Sequence, residues 1–515
     1  MYFLAIAKNT IKSGFITFNQ QEITNGFQPL WQYILILVQF VFRPSVYSQL
    51  LLTFGLSLFL VILGFFAVIR GARRYWGSRE AAILSFLLLP GAFALFFEPT
   101  LGHETHDPAL LYSFSAWAFV NGMESAVTVF VFGILLMVLL SNLSRFTEIT
   151  PSIREVFSPS TRILLPLIVL ARLDDVFLLA SLIITLVLFF PGNLREKTRD
   201  IAIVLFPTFI VMSIYVAYNA VTAGVALPIS GLSKTQFALL PNVKEVVSLL
   251  LSFSVREAYR IIPMVVFIAF GGATFLYGAW TLKKHAPNLM RKENDLIIFL
   301  LLPLSGYILL KGLFHFTAVY YLHQGWWYYT GQLFLFNIIV AVALSRILGR
   351  LNLGYAFAFL LALSVTGLQI VDTGHRLATL GGYARANYIV WKNHEALNAN
   401  LTAVDREMKL IDNTDGLYGF ILDMPVASGT GLVFSREERD AADKKGTIDA
   451  LVERGFTVIP VSRSDAWEGH YLRLSAIGRN ADRIYTDPRT SIGFYRLSAR
   501  KNEQKGPDRT LPPHR

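Results

Sequence analysis

A chain of 515 residues that is 54% hydrophobic and only 16% charged departs from soluble globular proteins, in which charged residues make up roughly 25%. The absence of cysteine excludes a disulfide framework and a thiolate metal site. The formal charge of +11 raises the question of nucleic acid, but the basic residues sit in short clusters between apolar runs, where cytoplasmic loops of membrane proteins carry Lys and Arg, so no nucleic-acid partner is expected.

The chain opens in a mildly amphipathic segment with no basic region followed by an apolar one, so no cleaved signal is expected. Long apolar runs follow, such as "LLTFGLSLFLVILGFFAVI" and "VTVFVFGILLMVLL". Runs near 20 residues match the ~30 Å bilayer core at ~1.5 Å rise per residue. Predicted spans are 47–69, 79–97, 123–141, 160–173, 175–190, 201–219, 261–282, 295–314, 325–345 and 352–371. The apolar stretch 29–42 is about half a bilayer long and reads equally as re-entrant, interfacial or tilted. A second short stretch, 109–120, compensates the parity if 29–42 crosses.

The basic clusters "RGARR" (Arg70 to Arg74), "REKTR" (Arg195 to Arg199) and "KKHAPNLMRK" (Lys283 to Lys292), with Arg346 and Arg350, are assigned to the cytoplasmic side. Alternation then puts "EPTLGHETHDP", "NGMES", "ARLDD", "NAVTAGVALPISGLSKTQ" and "HFTAVYYLHQGWWYY" on the opposite face, together with everything after about Asp372. From there charged residues and short apolar runs such as "GFILDMPVA" and "FTVIPVS" predict a small α/β domain over 372–500. The polar, Pro-rich tail 501–515 is expected to be disordered.

Several polar stretches interrupt this pattern. In "ARLDDVFLL", Arg172, Asp174 and Asp175 break a continuous apolar run from Ile163 to Phe190. Charges at membrane depth are costly unless paired or facing water. The stretch reads as the bend of a helical hairpin, held by an Arg172–Asp175 pair or presenting a polar site to a substrate. In "NGMES", Glu124 opens a span behind Asn121 as a candidate N-cap; the helix dipole favours a carboxylate there, and the alternative is that it faces the same site as Arg172 and Asp174. "HETHD" offers His103 and His106 as metal ligands, but loop His and Asp residues commonly cluster without a metal. The aromatics from His315 to Tyr329 read as an interfacial belt or as the lining of a sugar or lipid site. Ser230 and Lys234 lie in an outer loop, where Lys234 is either solvated or meets an anionic head group. No nucleotide fingerprint, nucleophile elbow or Ser-Lys signature is present.

"TNGFQPLW", "NGMES", "ARLD", "YNAVTAGVALPISGLSK" and "DGLYGFILDMPVASGTGLV" occur in an order that resembles the bacterial GT-C glycosyltransferases, in particular the subgroup with the mycobacterial terminal arabinofuranosyltransferases. The resemblance runs from about Tyr2 to about Val433. It implies an all-α polytopic membrane fold of about 10–11 transmembrane helices, spanning 1–371, with a small C-terminal α/β domain outside the cytoplasm. It also implies an inverting transfer of a sugar from a polyprenyl-phosphate donor to a cell-envelope glycan or lipid acceptor, in the plasma membrane. In that family a first outer loop begins with an acidic pair, one carboxylate of which serves as general base. Residues 1–28 resemble the remainder of that loop, so the pair is expected upstream of Met1, with Asp174 or Asp175 as fallback bases and the chain as given starting at an internal methionine. The match further implies that Thr24, Asn25, Gln28 and Trp31 close the loop over a substrate cavity. Glu124 and an Arg172–Asp174 pair would line it and orient donor phosphate or acceptor hydroxyls, and Lys234 would help neutralise the leaving phosphate. "GTGLV" departs from the "DGLV" form of the family. A divalent cation as cofactor is left open, with no metal ligands assigned. The other classes compatible with the residues are a transporter or flippase for lipid-linked saccharides, though no repeated halves with broken helices are seen, and a non-catalytic binding subunit.

Overall fold

The computed structural model describes residues 2–88, 124–146, 151–235, 237–252, 261–285, 291–319, 326–351, 354–379, 389–412, 416–431, 433–461, 481–489 and 492–498. Two compact units make up the chain: Phe27–Thr379, and Met1–Gly26 together with Leu380–Arg515. The first helix, α1 (Tyr2–Ser13), belongs to the second of these. "HETHD", Asn121, the stretch 109–120 and the end of the expected span 79–97 lie outside the described residues, as does the tail.

The helical unit contains α2 (Pro29–Phe42), α3 (Val46–Trp76), α4 (Ser78–Leu87), α5 (Ser125–Leu143), α6 (Pro159–Ala171) and α7 (Val176–Phe189). It continues with α8 (Leu194–Thr222), α9 (Ile262–His285), α10 (Leu302–Ala318), α11 (Thr330–Gly349) and α12 (Gly354–Thr379). Among the described residues, six helices are long and apolar enough to cross a bilayer. The protein is a multi-pass membrane protein. Helix α5 is apolar on all sides and 78% of its apolar window is buried, which makes it a central helix. Only 22% of the α8 window is buried, and Phe206, Phe209 and Ile214 point outward as lipid-facing residues do.

Small residues bring the central helices together. A Cβ at Gly64 of α3 would lie 2.7 Å from the Val129 carbonyl oxygen of α5, and one at Gly71 would lie 2.8 Å from Met137 Cα. Such close approach is how helices associate in lipid, where burial alone drives nothing. The order of these contacts also shows that α3 and α5 run parallel. The start of α3 therefore lies at the same end of the unit as Glu124, next to the start of α5. The Gln28 side chain, just ahead of α2, meets Leu173 at that end too, and α3 begins only a few residues after α2. The exposed Leu37, Phe40, Val41 and Phe42 of α2 suit a lipid-facing helix too short to cross upright.

The second unit is built on a five-stranded sheet in the order β2-β1-β3-β5-β4. Its elements are α13 (His394–Val404), β1 (Leu410–Asp412), α14 (Leu417–Ile421), β2 (Val426–Ser428), α15 (Arg436–Lys445), α16 (Thr447–Glu453), β3 (Val458–Val461), β4 (Ala481–Thr486) and β5 (Gly493–Leu497). Strand β1 pairs parallel with β2 and β3, whereas β5 pairs antiparallel with β3 and β4. Phe420, Leu422, Phe456, Val458 and Phe494 form its core.

The division expected at 371–372, with 1–28 grouped with the spans, differs from this. Helix α12 runs on to Thr379, and the first 26 residues pack with the C-terminal elements. Phe3, Leu4 and Ile6 of α1 are buried, and Lys8 Nζ donates to the carbonyls of Phe420 and Leu422 at 3.1 and 2.8 Å. Thr24 Oγ1 donates to the Val433 carbonyl at 2.9 Å. The expected span at 325–345 likewise begins later, at Thr330, because Trp326–Tyr329 forms a 3-10 turn.

Candidate functional site

Helix α6 ends where the Arg172 backbone turns extended, and a 3-10 turn, Leu173–Asp175, leads directly into α7. Asp174 and Asp175 thereby stand at the N-terminal end of α7, where the helix dipole favours carboxylates. At about 1.5 Å rise per residue, each arm of this hairpin is only ~20 Å long, well short of the ~30 Å apolar core. The bend therefore sits below the membrane surface.

Helix α10 supplies the opposing face. Tyr307, Lys311 and His315 recur every four residues and so project from one side of the helix. That side meets α7, where Ser181 Oγ donates to the Pro303 carbonyl at 2.7 Å. Lys311 Nζ reaches Asp175 Oδ1 at 2.5 Å and Asp174 Oδ2 at 3.2 Å. The Tyr307 hydroxyl also donates to Asp175 Oδ1, at 2.6 Å. His315 Nε2 lies 3.3 Å from Asp174 Oδ2.

Arg172 completes the cluster. Its Nη1 donates to Glu124 Oε1 at 2.7 Å, its Nε to Asp174 Oδ1 at 3.0 Å, and its Nη2 to Asp174 Oδ2 at 3.2 Å. The guanidinium also lies over the Tyr328 ring, 5.5 Å from its centroid. Side chains of Arg172, Lys311 and Asp175 are essentially fully buried. Removing charges from water costs several kcal/mol per ion unless attraction and hydrogen bonds offset it. Here the ions offset one another, from the start of α5, the α6–α7 bend and the end of α10.

Two further contacts brace the cluster. The Leu173 amide donates to Gln28 Oε1 at 3.0 Å, tying the bend to the entry of α2. Gly331 of α11 packs so closely that a Cβ there would lie 2.5 Å from the Tyr307 hydroxyl and 3.4 Å from Asp175 Oδ1. Only glycine fits without displacing that pair.

The structure thus brings together Gln28, Glu124, Arg172, Asp174 and Asp175 from the sequence reading. Trp31 is fully buried in α2 of the same unit. Thr24 and Asn25 are buried in the other unit, and Lys234 ends a short helix, Ile229–Lys234. Of the pairings expected for Arg172, the one with Asp174 is present, with Glu124 beside it, whereas the one with Asp175 is corrected: Asp175 meets Lys311. Lys311 and Tyr307 were not singled out from the sequence, and His315 appeared only as the edge of an aromatic stretch. The signal for Lys311 was present, since it is a lone charge inside the apolar run "LLPLSGYILLKGLF". Among the described residues no group of three or more His, Cys, Asp or Glu is arranged to hold a metal ion.

The opposite end of the unit is basic. Arg74 bonds Ser141 at 3.1 Å, Lys292 Nζ donates to the Tyr75 carbonyl at 2.6 Å, and Arg346 faces Glu293 at 3.7 Å. These lie toward the ends of α3, α5 and α11 remote from the ion cluster.

No protein-family model matches the chain, and no curated protein matches it. Solved structures do. ArnT from Cupriavidus metallidurans in the apo state aligns over 96% of this chain and 92% of its own, with 14% identity and a TM-score of 0.50. ArnT from the same organism bound to undecaprenyl phosphate gives 13% identity and 0.46, covering 98% and 94%. The Archaeoglobus fulgidus oligosaccharyltransferase, in complex with Zn and sulfate, gives 15% identity and 0.49, covering 97% of this chain and 68% of that one. At such identities the likeness to apo ArnT speaks to architecture. The chain has a GT-C-like fold, all-α and polytopic, with a small C-terminal α/β domain.

Proposed function

We propose that this protein is an integral membrane glycosyltransferase that moves a sugar from a polyprenyl-phosphate donor to a glycan or lipid acceptor at the non-cytoplasmic face. The observation that carries the reading is the buried Arg172–Asp174–Lys311–His315 cluster, lying at membrane depth opposite the basic end of a GT-C-like helical unit. A lipid-linked donor reaches such a site sideways through the bilayer, with its phosphate at the depth of the bend. Undecaprenyl phosphate, with which ArnT has been crystallised, belongs to this lipid class. The motif order favours a donor and acceptor like those of the terminal arabinofuranosyltransferase subgroup, and an envelope glycan as acceptor.

In an inverting transfer the acceptor hydroxyl attacks the anomeric carbon, its proton passes to a base, and the polyprenyl phosphate leaves from the opposite face with the bonding electrons. Cations near the departing oxygen stabilise the charge it gains. In this reading Arg172 and Lys311 take that role, with Lys234 a further candidate. The geometry speaks against Asp174 and Asp175 as the base. Asp175 is wholly buried against Tyr307 and Lys311, and Asp174 already accepts from Arg172, beside Lys311 and His315.

The reading is tested with the purified full chain in nanodiscs, given polyprenyl-phosphate-linked sugars labelled in the sugar and an envelope glycan acceptor. Label is expected in the acceptor with the anomeric configuration inverted. Transfer from a nucleotide sugar in place of the lipid donor, or retention of configuration, would sink it.

A further inference from the structure

Charge counting within the cluster sets Asp174 apart. Arg172 pairs with Glu124 at 2.7 Å and Lys311 with Asp175 at 2.5 Å, so each cation already has a carboxylate of its own. Asp174 is a third carboxylate for these two cations. Its side chain is 17% exposed, against 3% for Glu124 and 0% for Asp175. Further donors nevertheless converge on it. Arg172 Nε and Nη2 take its two oxygens at 3.0 and 3.2 Å, and Lys311 Nζ and His315 Nε2 reach Oδ2 at 3.2 and 3.3 Å. With Asp174 set aside, the described residues leave two ion pairs and His315, whose donors point at one partly accessible place. In the structure the two carboxylate oxygens of Asp174 occupy that place.

We propose that this locus is a site for a phosphate group and that Asp174 is its internal occupant, displaced when a phosphoryl ligand arrives. Resting on the functional reading above, the ligand is the phosphate of a polyprenyl-phosphate donor. The planar Arg172 fork suits a carboxylate and a phosphate alike, through two parallel N–H···O bonds. The donor is a phosphodiester with one negative charge, like the carboxylate it replaces, so its entry adds no uncompensated charge to a low-dielectric site. The monoester left after transfer carries up to about two, which favours its release. Asp174 is tethered two residues from Arg172, so its carboxylate competes at high effective concentration. The consequence for turnover is direct. After transfer the polyprenyl phosphate must leave, and a tethered carboxylate returning to its place expels it. Asp174 is in this account a positioning and release residue, with no part in bond making.

Binding of undecaprenyl phosphate to the full chain in nanodiscs tests this, with neutral undecaprenol and inorganic sulfate as parallel probes. Asp174→Asn is expected to bind the lipid phosphate about 10-fold more tightly than the native protein, because the tethered competitor loses its charge. Asp174→Glu keeps the internal anion and should stay near the native affinity, and undecaprenol should be indifferent to all three. Asp174→Ser, short and neutral, serves if the asparagine variant does not fold. If the native protein binds lipid phosphate and neither neutral variant binds more tightly, the displacement proposal is overturned while the functional reading stands. If the neutral variants gain affinity for sulfate alone, with no lipid bound by any form, the anion locus stands and the functional reading falls.

Discussion

The two units bury charge in opposite ways. In the sheet unit the buried charges are satisfied mainly by backbone. Asp412, at the end of β1, accepts from the Tyr418 and Gly419 amides at 2.9 and 3.3 Å, and half-buried Lys8 donates to two carbonyls beside its ion pair with Asp423 at 3.0 Å. Glu438 closes a capping box on Ser435 and takes one side-chain bond, from Asn19 at 2.8 Å. In the helical unit Glu124, Arg172, Asp174, Asp175 and Lys311 satisfy one another, side chain to side chain, from separate elements. Backbone-satisfied charges serve local scaffolding, since caps and helix ends need them. Mutually paired ions drawn from separate elements join those elements instead, and it is in this unit that we propose the function lies.

The largest effect should come from breaking the mutual pairing. Lys311→Met leaves Asp175 buried without its cation and should destabilise the protein by about 3–5 kcal/mol, read as a fall in thermal stability in detergent. Adding Asp175→Asn should restore most of the loss, since the buried charge is gone with its partner. If Lys311→Met proves no worse than a backbone-cap deletion in the other unit, the contrast between the units fails.

Gly331→Val pushes side-chain atoms into the Tyr307–Asp175 pair. Overpacking of this kind costs about 1–3 kcal/mol, and transfer activity should fall further than stability alone explains. Activity that merely tracks the folded fraction would count against the cluster as the functional site.

In the sheet unit, Asp412→Ala strands two buried amides at the start of α14 and should cost about 1–3 kcal/mol. Hydrogen exchange at Tyr418 and Gly419 should quicken, while activity per folded molecule stays unchanged. A drop in activity per folded molecule would blur the division of labour.

The smallest effect is a pH dependence. Burial pushes the Glu438 carboxyl up from its ordinary range, partly opposed by the Ser435 amide and Asn19. A carboxyl whose folded value is raised favours folding at low pH. That contribution is fully present below the unfolded value of about 4.3 and is lost as pH rises through the folded value. Glu438→Gln should flatten this slope in pH-dependent melting of the sheet unit. An unchanged slope would assign it to other groups.

Much of this was legible in the residues because bilayer length and the cost of charge are strong constraints. Runs such as Leu51 to Ile69 announce their helices, and Arg172, Asp174 and Glu124 stand out against apolar surroundings. Lys311 obeys the same rule, as a lone charge inside the apolar run "LLPLSGYILLKGLF". Who pairs with whom was not legible. Spacing suggested Arg172 with Asp175, but the 3-10 turn points Asp175 at α10 and leaves Arg172 to Asp174 and to Glu124 on a distant helix. The grouping of residues 1–26 with the C-terminal sheet was hidden for a related reason. It rests on contacts some 400 residues apart in sequence, such as Thr24 with Val433, and no local period encodes them.

The most direct test of the central claim is a dual-label experiment in proteoliposomes, with one label in the sugar and another in the polyprenyl chain of the donor. The account expects the two labels to part: sugar in the acceptor, lipid left in the membrane as polyprenyl phosphate. Both labels crossing to the other leaflet together, with the glycosyl-phosphate bond intact, would contradict it and make the protein a carrier of lipid-linked saccharide.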